Sequence, residues 1–257
     1  RQTPCRDCVL ARKLQCDSMT HPLDSSRDRQ PSGPSAPFEL AWIWPLPPLS
    51  EGHIYVELVQ DFEAPSAACL GPAILWLTAC GPYMAWLNDE PIGCGPCRDY
   101  PRPRPLDEWD IASLLRAGRN RLAFRLEINA DGHFSHIPGS PGLGFELAAG
   151  PWRMGPDDNV RWRVSPAYIT GQTVCRIDPQ MGYTFEFDAR CDGTWRQNDD
   201  VLRESDGWQP LPAGATEQVM PVCARPLPAL DCLPPGPVTV RAQGDFMLNG
   251  AQVATAP

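Results

Sequence analysis

The sequence predicts an all-β fold, a β-sandwich, and three observations carry the prediction. Pro supplies 31 of the 257 residues, against a usual share of about 5%, and each Pro removes a backbone donor and interrupts helices. Lys, a good helix former, is nearly absent: of 22 basic residues all but Lys13 are Arg, a skew that reads as coding bias and not as chemistry. From Phe38 onward, short apolar runs alternate with Pro and Gly, and several have period two, as Ile54, Val56 and Leu58 do against Tyr55 and Glu57. With 42% hydrophobic and 21% charged residues, the chain has enough apolar material for one large core or two modest ones.

Taken in order, residues 1–36 carry a small basic excess and run into SSRDRQPSGPSAP, which reads as a disordered leader before an acidic body. Strands are expected at 38–44, 53–64, 73–79, 83–87, 121–128, 142–149, 160–165 and 183–189. Asn88 and Asp89 both tolerate the left-handed region, so they are expected to reverse a hairpin after Leu87. One helical turn is expected from Trp109 to Leu115, with Gly118 ending it. The β-sandwich region is assigned to 37–220, with a sub-boundary near 150 where strands thin out and acidic loops begin. Beyond it, 221–257 reads as a Pro-rich linker followed by the start of a truncated further β-domain, because PVCARPLPALDCLPPGP has too many prolines for a central strand.

The formal charge of −9 argues against nucleic acid, which needs a concentrated basic face. The longest apolar stretch, Ala73 to Leu87, is broken by Gly81-Pro82 and is shorter than the roughly 20 residues of a membrane helix. The chain starts at Arg1 without a charged-then-apolar leader, so it is expected to have lost one or to be a fragment. Eleven cysteines at irregular spacing do not form a disulfide framework, and most are expected to be free, buried small hydrophobes.

A likeness to a known family lies in the order of particular residues. Trp42-Ile43-Trp44-Pro45, Tyr83 through Leu87-Asn88, Gly93-Cys94-Gly95-Pro96-Cys97-Arg98, Trp109-Asp110 and Leu114-Leu115-Arg116-Ala117-Gly118-Arg119-Asn120 follow one another. Pro141-Gly142-Leu143, Trp162, Glu186 through Arg190, Trp195, Asp206-Gly207-Trp208 and Ala224-Arg225-Pro226-Leu227-Pro228 continue the order. Together they resemble the N-terminal β-sandwich region of bacterial α-L-rhamnosidases of glycoside hydrolase family 78, over about residues 38 to 240. The resemblance implies a jelly-roll, galactose-binding-like sandwich. In that family the catalytic glutamates belong to a following (α/α)6 barrel, so they map onto no position here and no catalytic residue is expected in this chain.

Other constellations are weighed on their own chemistry. Cys94-Gly95-Pro96-Cys97 has thioredoxin-like spacing, but no βαβ pattern surrounds it and Arg98-Asp99-Tyr100-Pro101 cannot open a regular helix. Cys5, Cys8, Cys16 and His21 offer four zinc-type donors without a second pair at suitable spacing. No metal and no cofactor is expected. Pyranose rings stack on aromatic faces, which makes Trp86 and Trp109 candidate sugar platforms, and His133 and His136 on a polar loop are candidate sugar contacts. Glu186, Asp188 and Arg190 alternate along one expected strand and are assigned to a buried structural ion-pair network.

The reading these points favour is a non-catalytic accessory β-sandwich of an α-L-rhamnosidase-like glycoside hydrolase, which packs against the catalytic barrel and helps present a rhamnose-containing glycan. As a chain it is expected to hydrolyse nothing. Two alternatives stand beside it: a free-standing carbohydrate-binding module, and a redox or zinc protein built on its cysteines.

Overall fold

The computed structural model describes residues 35–47, 52–96, 103–132, 136–169, 182–216 and 218–225, and the backbone of 176–178, 245–248 and 251–255. The expected leader lies outside these residues except for its last two. So do Cys5, Cys8, Cys16, His21, Cys97 and His133, and most of the expected linker.

Strands dominate and, among the described residues, the helical pieces are single 3-10 turns. In chain order the strands are β1 (Glu39–Ile43), β2 (His53–Ala64), β3 (Ala73–Ala79), β4 (Tyr83–Leu87), β5 (Glu90–Gly95), β6 (Arg104–Asp110), β7 (Gly118–Asn129), β8 (Leu143–Ala149), β9 (Trp152–Met154), β10 (Val160–Val164), β11 (Arg176–Asp178), β12 (Gly182–Tyr183), β13 (Gln209–Pro210), β14 (Val219–Ala224), β15 (Asp245–Leu248) and β16 (Ala251–Thr255). Two six-stranded sheets form the sandwich. One runs β1-β14-β6-β3-β8-β9 and the other β13-β10-β2-β7-β4-β5. β1 divides its length between two partners, β14 for Glu39 to Ala41 and β8 for Trp42 and Ile43, so the pairings of the first sheet close on themselves. That closure removes an edge that would otherwise be open to another chain.

The core lies between the sheets. Leu75, Leu77, Phe145 and Leu147 of the first sheet meet Val56, Leu58, Leu122, Phe124 and Leu126 of the second, each side chain one of every two along its strand. Where the backbone approaches a ring, only Gly fits: a Cβ on Gly93 would overlap the Trp109 ring, and one on Gly142 would overlap Trp42.

The hairpin at Asn88-Asp89 forms as expected, with φ of 55° and 71° and Leu87 facing Glu90. Asn88 also ties the hairpin to the start of β7. Its Nδ2 donates to Asn120 Oδ1 at 2.9 Å, and its Oδ1 accepts from the Arg121 backbone N–H at 3.0 Å.

Two expectations need correction. Trp109 and Asp110 belong to β6, and the helical turn is confined to the residues after them, where the Leu114 and Leu115 N–H groups bond the Ile111 carbonyl. The segment 183–189 is not a strand: beyond Tyr183 it contributes one isolated bridge, Phe187 with Tyr168, and then a 3-10 turn capped by Asp188. The boundary at 220 falls inside β14, whose Val222 to Ala224 pair parallel to Arg104 to Leu106. At 150 β8 turns into β9, and β10 then rejoins the second sheet through β2.

The outer face of the second sheet is built from charge. Along the ladder of β2 with β7, Glu57 faces Arg125, Asp61 faces Arg121 and Glu63 faces Arg119. Glu57 is fully buried and flanked on its other side by Arg163 of β10. Its Oε1 accepts from Arg125 at 2.8 Å and from the Ser165 hydroxyl at 2.7 Å, while Oε2 accepts from Arg163 at 2.7 Å. Replacing Glu57 with Leu leaves the buried Arg163 without its carboxylate and Arg125 with Asp192 alone, and loss of one partner of a buried ion pair costs about 3–5 kcal/mol. Thermal unfolding should show a large fall in Tm for Glu57→Leu and a much smaller one for Glu63→Gln at the ladder's end.

Candidate functional site

Residues 188–208 cover part of that charged face without forming a ladder of their own. Trp195 and Trp208 pack with Val59, Trp86 and Ala123 in a separate apolar cluster, and arginines lie between the rings. The Arg125 guanidinium sits 5.4 Å from the Trp195 ring centre, Arg196 5.2 Å from Trp86, and Arg163 4.5 Å from Trp208. Arg125 also pairs with Asp192. Burial opposes the charge on Asp192, but hydrogen bonds and charge from Arg125 and Arg196 outweigh it and hold its pKa below the usual carboxylate value.

A cleft of about 420 Å³ opens beside this layer. Sheet positions supply its floor: Tyr55 of β2, Glu127 of β7, Met84 of β4 and Cys94 of β5. Tyr168 stacks on Tyr55 with ring centres 4.0 Å apart, Arg125 lies 5.2 Å from the Tyr168 ring, and Phe185 stands 6.2 Å from it at the rim. Phe185 is 66% exposed and Met84 46% exposed. Burial, then the neighbouring Glu127 carboxylate, pushes the Tyr55 phenol up, so it stays a hydrogen-bond donor at ordinary pH.

Behind the cleft runs a buried chain of polar groups. Trp109 Nε1 donates to the Tyr83 hydroxyl at 3.1 Å, Tyr83 donates to Asp107, and Arg225 donates to the other oxygen of Asp107. Burial raises Tyr83 well above its ordinary value. The Arg225 side chain is nine-tenths buried and lines the cleft, and its Nε has no hydrogen-bond partner.

The residues expected from sequence lie mostly elsewhere. Trp86 is buried beneath Trp195 and two arginines, so neither of its faces is open for stacking. Trp109 is half-buried, its ring against Gly93 and its N–H committed to Tyr83. His136 is buried with Nε2 at 3.1 Å from the Asn129 carbonyl oxygen. Asp188 and Arg190 do pair, at 2.6 Å, but on the surface and within one 3-10 turn, while Glu186 is exposed and reaches Ile169 through its backbone carbonyl. Cys94 lies on β5 opposite Met84, and no group of three or more metal-ligating side chains occurs among the described residues. Tyr55, Met84, Tyr168, Phe185 and Arg225 are not among the site residues expected from sequence. The available signal was the outward position of Tyr55 in the period-two run of β2.

No family model and no curated protein matches the chain. Among solved structures, the glycoside hydrolase family 78 rhamnosidase of Bacillus sp. GL1 matches at 28% identity and a TM-score of 0.58, covering 68% of this chain and 18% of that enzyme. The chain carries a rhamnosidase-like domain. Weaker matches to α-L-rhamnosidases of Streptomyces avermitilis (21% identity, TM-score 0.49, 67% of this chain and 17% of that one) and Aspergillus terreus (18%, 0.48, 73% and 21%) accompany it. The rhamnosidase-like domain is therefore a fraction of the length of these enzymes.

Beside the cleft of this domain lies His53. It is buried, stacked on Tyr183 at 4.8 Å and edge-on to Tyr55, with neither ring nitrogen hydrogen-bonded. Burial lowers its pKa, opposed in part by Glu127. The unfolded chain takes up a proton near pH 6.5 while the folded chain resists it, so stability is complete above about pH 6.5 and declines as pH falls below it. Tm measured across this range should decline with acidity in the parent and less steeply in His53→Phe.

Proposed function

We propose that this chain is an accessory, non-catalytic β-sandwich of an α-L-rhamnosidase-like glycoside hydrolase, packing against a catalytic barrel and helping to present glycan to it. The match to the Bacillus rhamnosidase carries the reading: it joins 28% identity to a shared fold over 68% of this chain, yet occupies only 18% of the enzyme. A domain of that share supports positioning rather than turnover. The chemistry of the cleft agrees. Glycoside hydrolysis uses two carboxyl groups flanking the bond, and among the described residues Glu127 is the one carboxylate lining this cleft.

Purified chain incubated with 4-nitrophenyl α-L-rhamnoside should release no 4-nitrophenol above the blank. Turnover that persists through a second, orthogonal purification, and therefore does not come from a contaminating enzyme, would overturn the reading.

A further inference from the structure

We propose that the cleft between Tyr55, Tyr168, Phe185 and Met84 is a binding site for one neutral pyranose ring, stacked on the aromatic wall with its hydroxyls towards Glu127 and Arg225. The proposal rests on the glycan-presenting reading above and deepens it by naming the site and the class of ligand.

Four observations lead there. The rim is aromatic and open: Phe185 is 66% exposed, and Phe187, 44% exposed, lies 4.9 Å from the Tyr168 ring, with the half-exposed Met84 on the floor below. Rings this exposed beside a polar floor suit a ligand with one apolar face and a polar edge. Second, the floor supplies a carboxylate acceptor in Glu127 and, in Arg225, a nine-tenths buried guanidinium with an unpartnered Nε. A buried donor left without a partner costs free energy, and a ligand hydroxyl would satisfy it. Third, both arginines of the cleft are already matched, Arg125 by Glu57 and Asp192 and Arg225 by Asp107, and Glu127 adds negative charge, so a neutral sugar is favoured over an acidic one. Fourth, a volume of about 420 Å³ falls within the usual range of small-molecule sites.

The test is titration calorimetry of the whole chain with methyl α-L-rhamnopyranoside, methyl β-D-galactopyranoside, methyl β-D-glucopyranoside and methyl β-D-glucuronide, run alongside sedimentation. At least one neutral glycoside should bind at millimolar concentration, and the glucuronide should bind more weakly than it. Phe185→Ala removes an exposed ring and should weaken binding about tenfold, the worth of one stacking contact. Met84→Glu should weaken it as well, and Phe38→Ala, at an 88% exposed ring outside the cleft, should not. Binding that survives both cleft substitutions overturns this site while leaving the glycan-presenting reading in place. Absence of heat with every glycoside overturns the site and the presenting role together, and the accessory assignment is then judged by the hydrolysis assay alone. A concentration-dependent dimer abolished by Phe185→Ala, without sugar binding, overturns the proposal in favour of a protein contact.

Discussion

The buried carboxylate of Glu57 organises one side of this molecule. A charge removed from water is tolerated only when its lone pairs are taken up and opposite charge lies close. Glu57 meets both conditions because β2 runs between β7 and β10, which place Arg125 and Arg163 on either side of it, and because Ser165 adds a hydroxyl. Arg suits these positions better than Lys would. A guanidinium is flat and weakly hydrated, so it pairs with a carboxylate through its edge while its face lies against an indole. Arg163 does both at once, with Glu57 and with Trp208.

The same arginines explain how a segment with almost no regular structure covers a sheet. Residues 188–208 have few ladder partners for their backbone groups, and buried carbonyls must still be bonded. Arg121 donates to the carbonyls of Trp195 and Gln197, and Arg163 donates to that of Asp206. Side chains rooted in the sheet thus replace the missing strand neighbour. Where the cover ends, Arg125 is still anchored by Glu57 and Asp192, and its outer face meets Tyr168. The aromatic wall of the cleft is therefore fixed by the same buried pairs that hold the cover down.

Sequence patterning revealed the sandwich well wherever a strand has one face in the core. β2, β3, β4, β7, β8 and β10 lie where alternation or an apolar run places them. It failed where proline sits in a strand. β6 contains Pro105 and β14 contains Pro221, residues that argue against a ladder, and both strands form nonetheless. It failed again at Tyr183 to Ala189, where alternation is present but the chain finds only one bridge partner. Nothing local in the sequence announces that Trp195, more than a hundred residues later, lies against Trp86. A subtler signal was present: Glu57, Asp61 and Glu63 on one run and Arg125, Arg121 and Arg119 on the other share a period of two with opposite sign, which fits antiparallel pairing in the observed register.

That division bears on what the likeness to rhamnosidases can carry. The residues that carry the resemblance are largely those the fold itself requires: Gly93 and Gly142 where a Cβ would strike an indole, Asn88 and Asn120 tying the hairpin to the start of β7, Trp195 and Trp208 in the covering layer. Such positions serve the architecture whatever the domain binds. Tyr55, Tyr168 and Phe185 were not among them. Substituting an exposed rim residue such as Phe185 disturbs little packing, so these are positions at which a ligand preference can change on a constant scaffold. Kinship in fold therefore places the chain among rhamnosidase-like domains, while the identity of a bound sugar has to be argued from the wall and floor of the cleft itself.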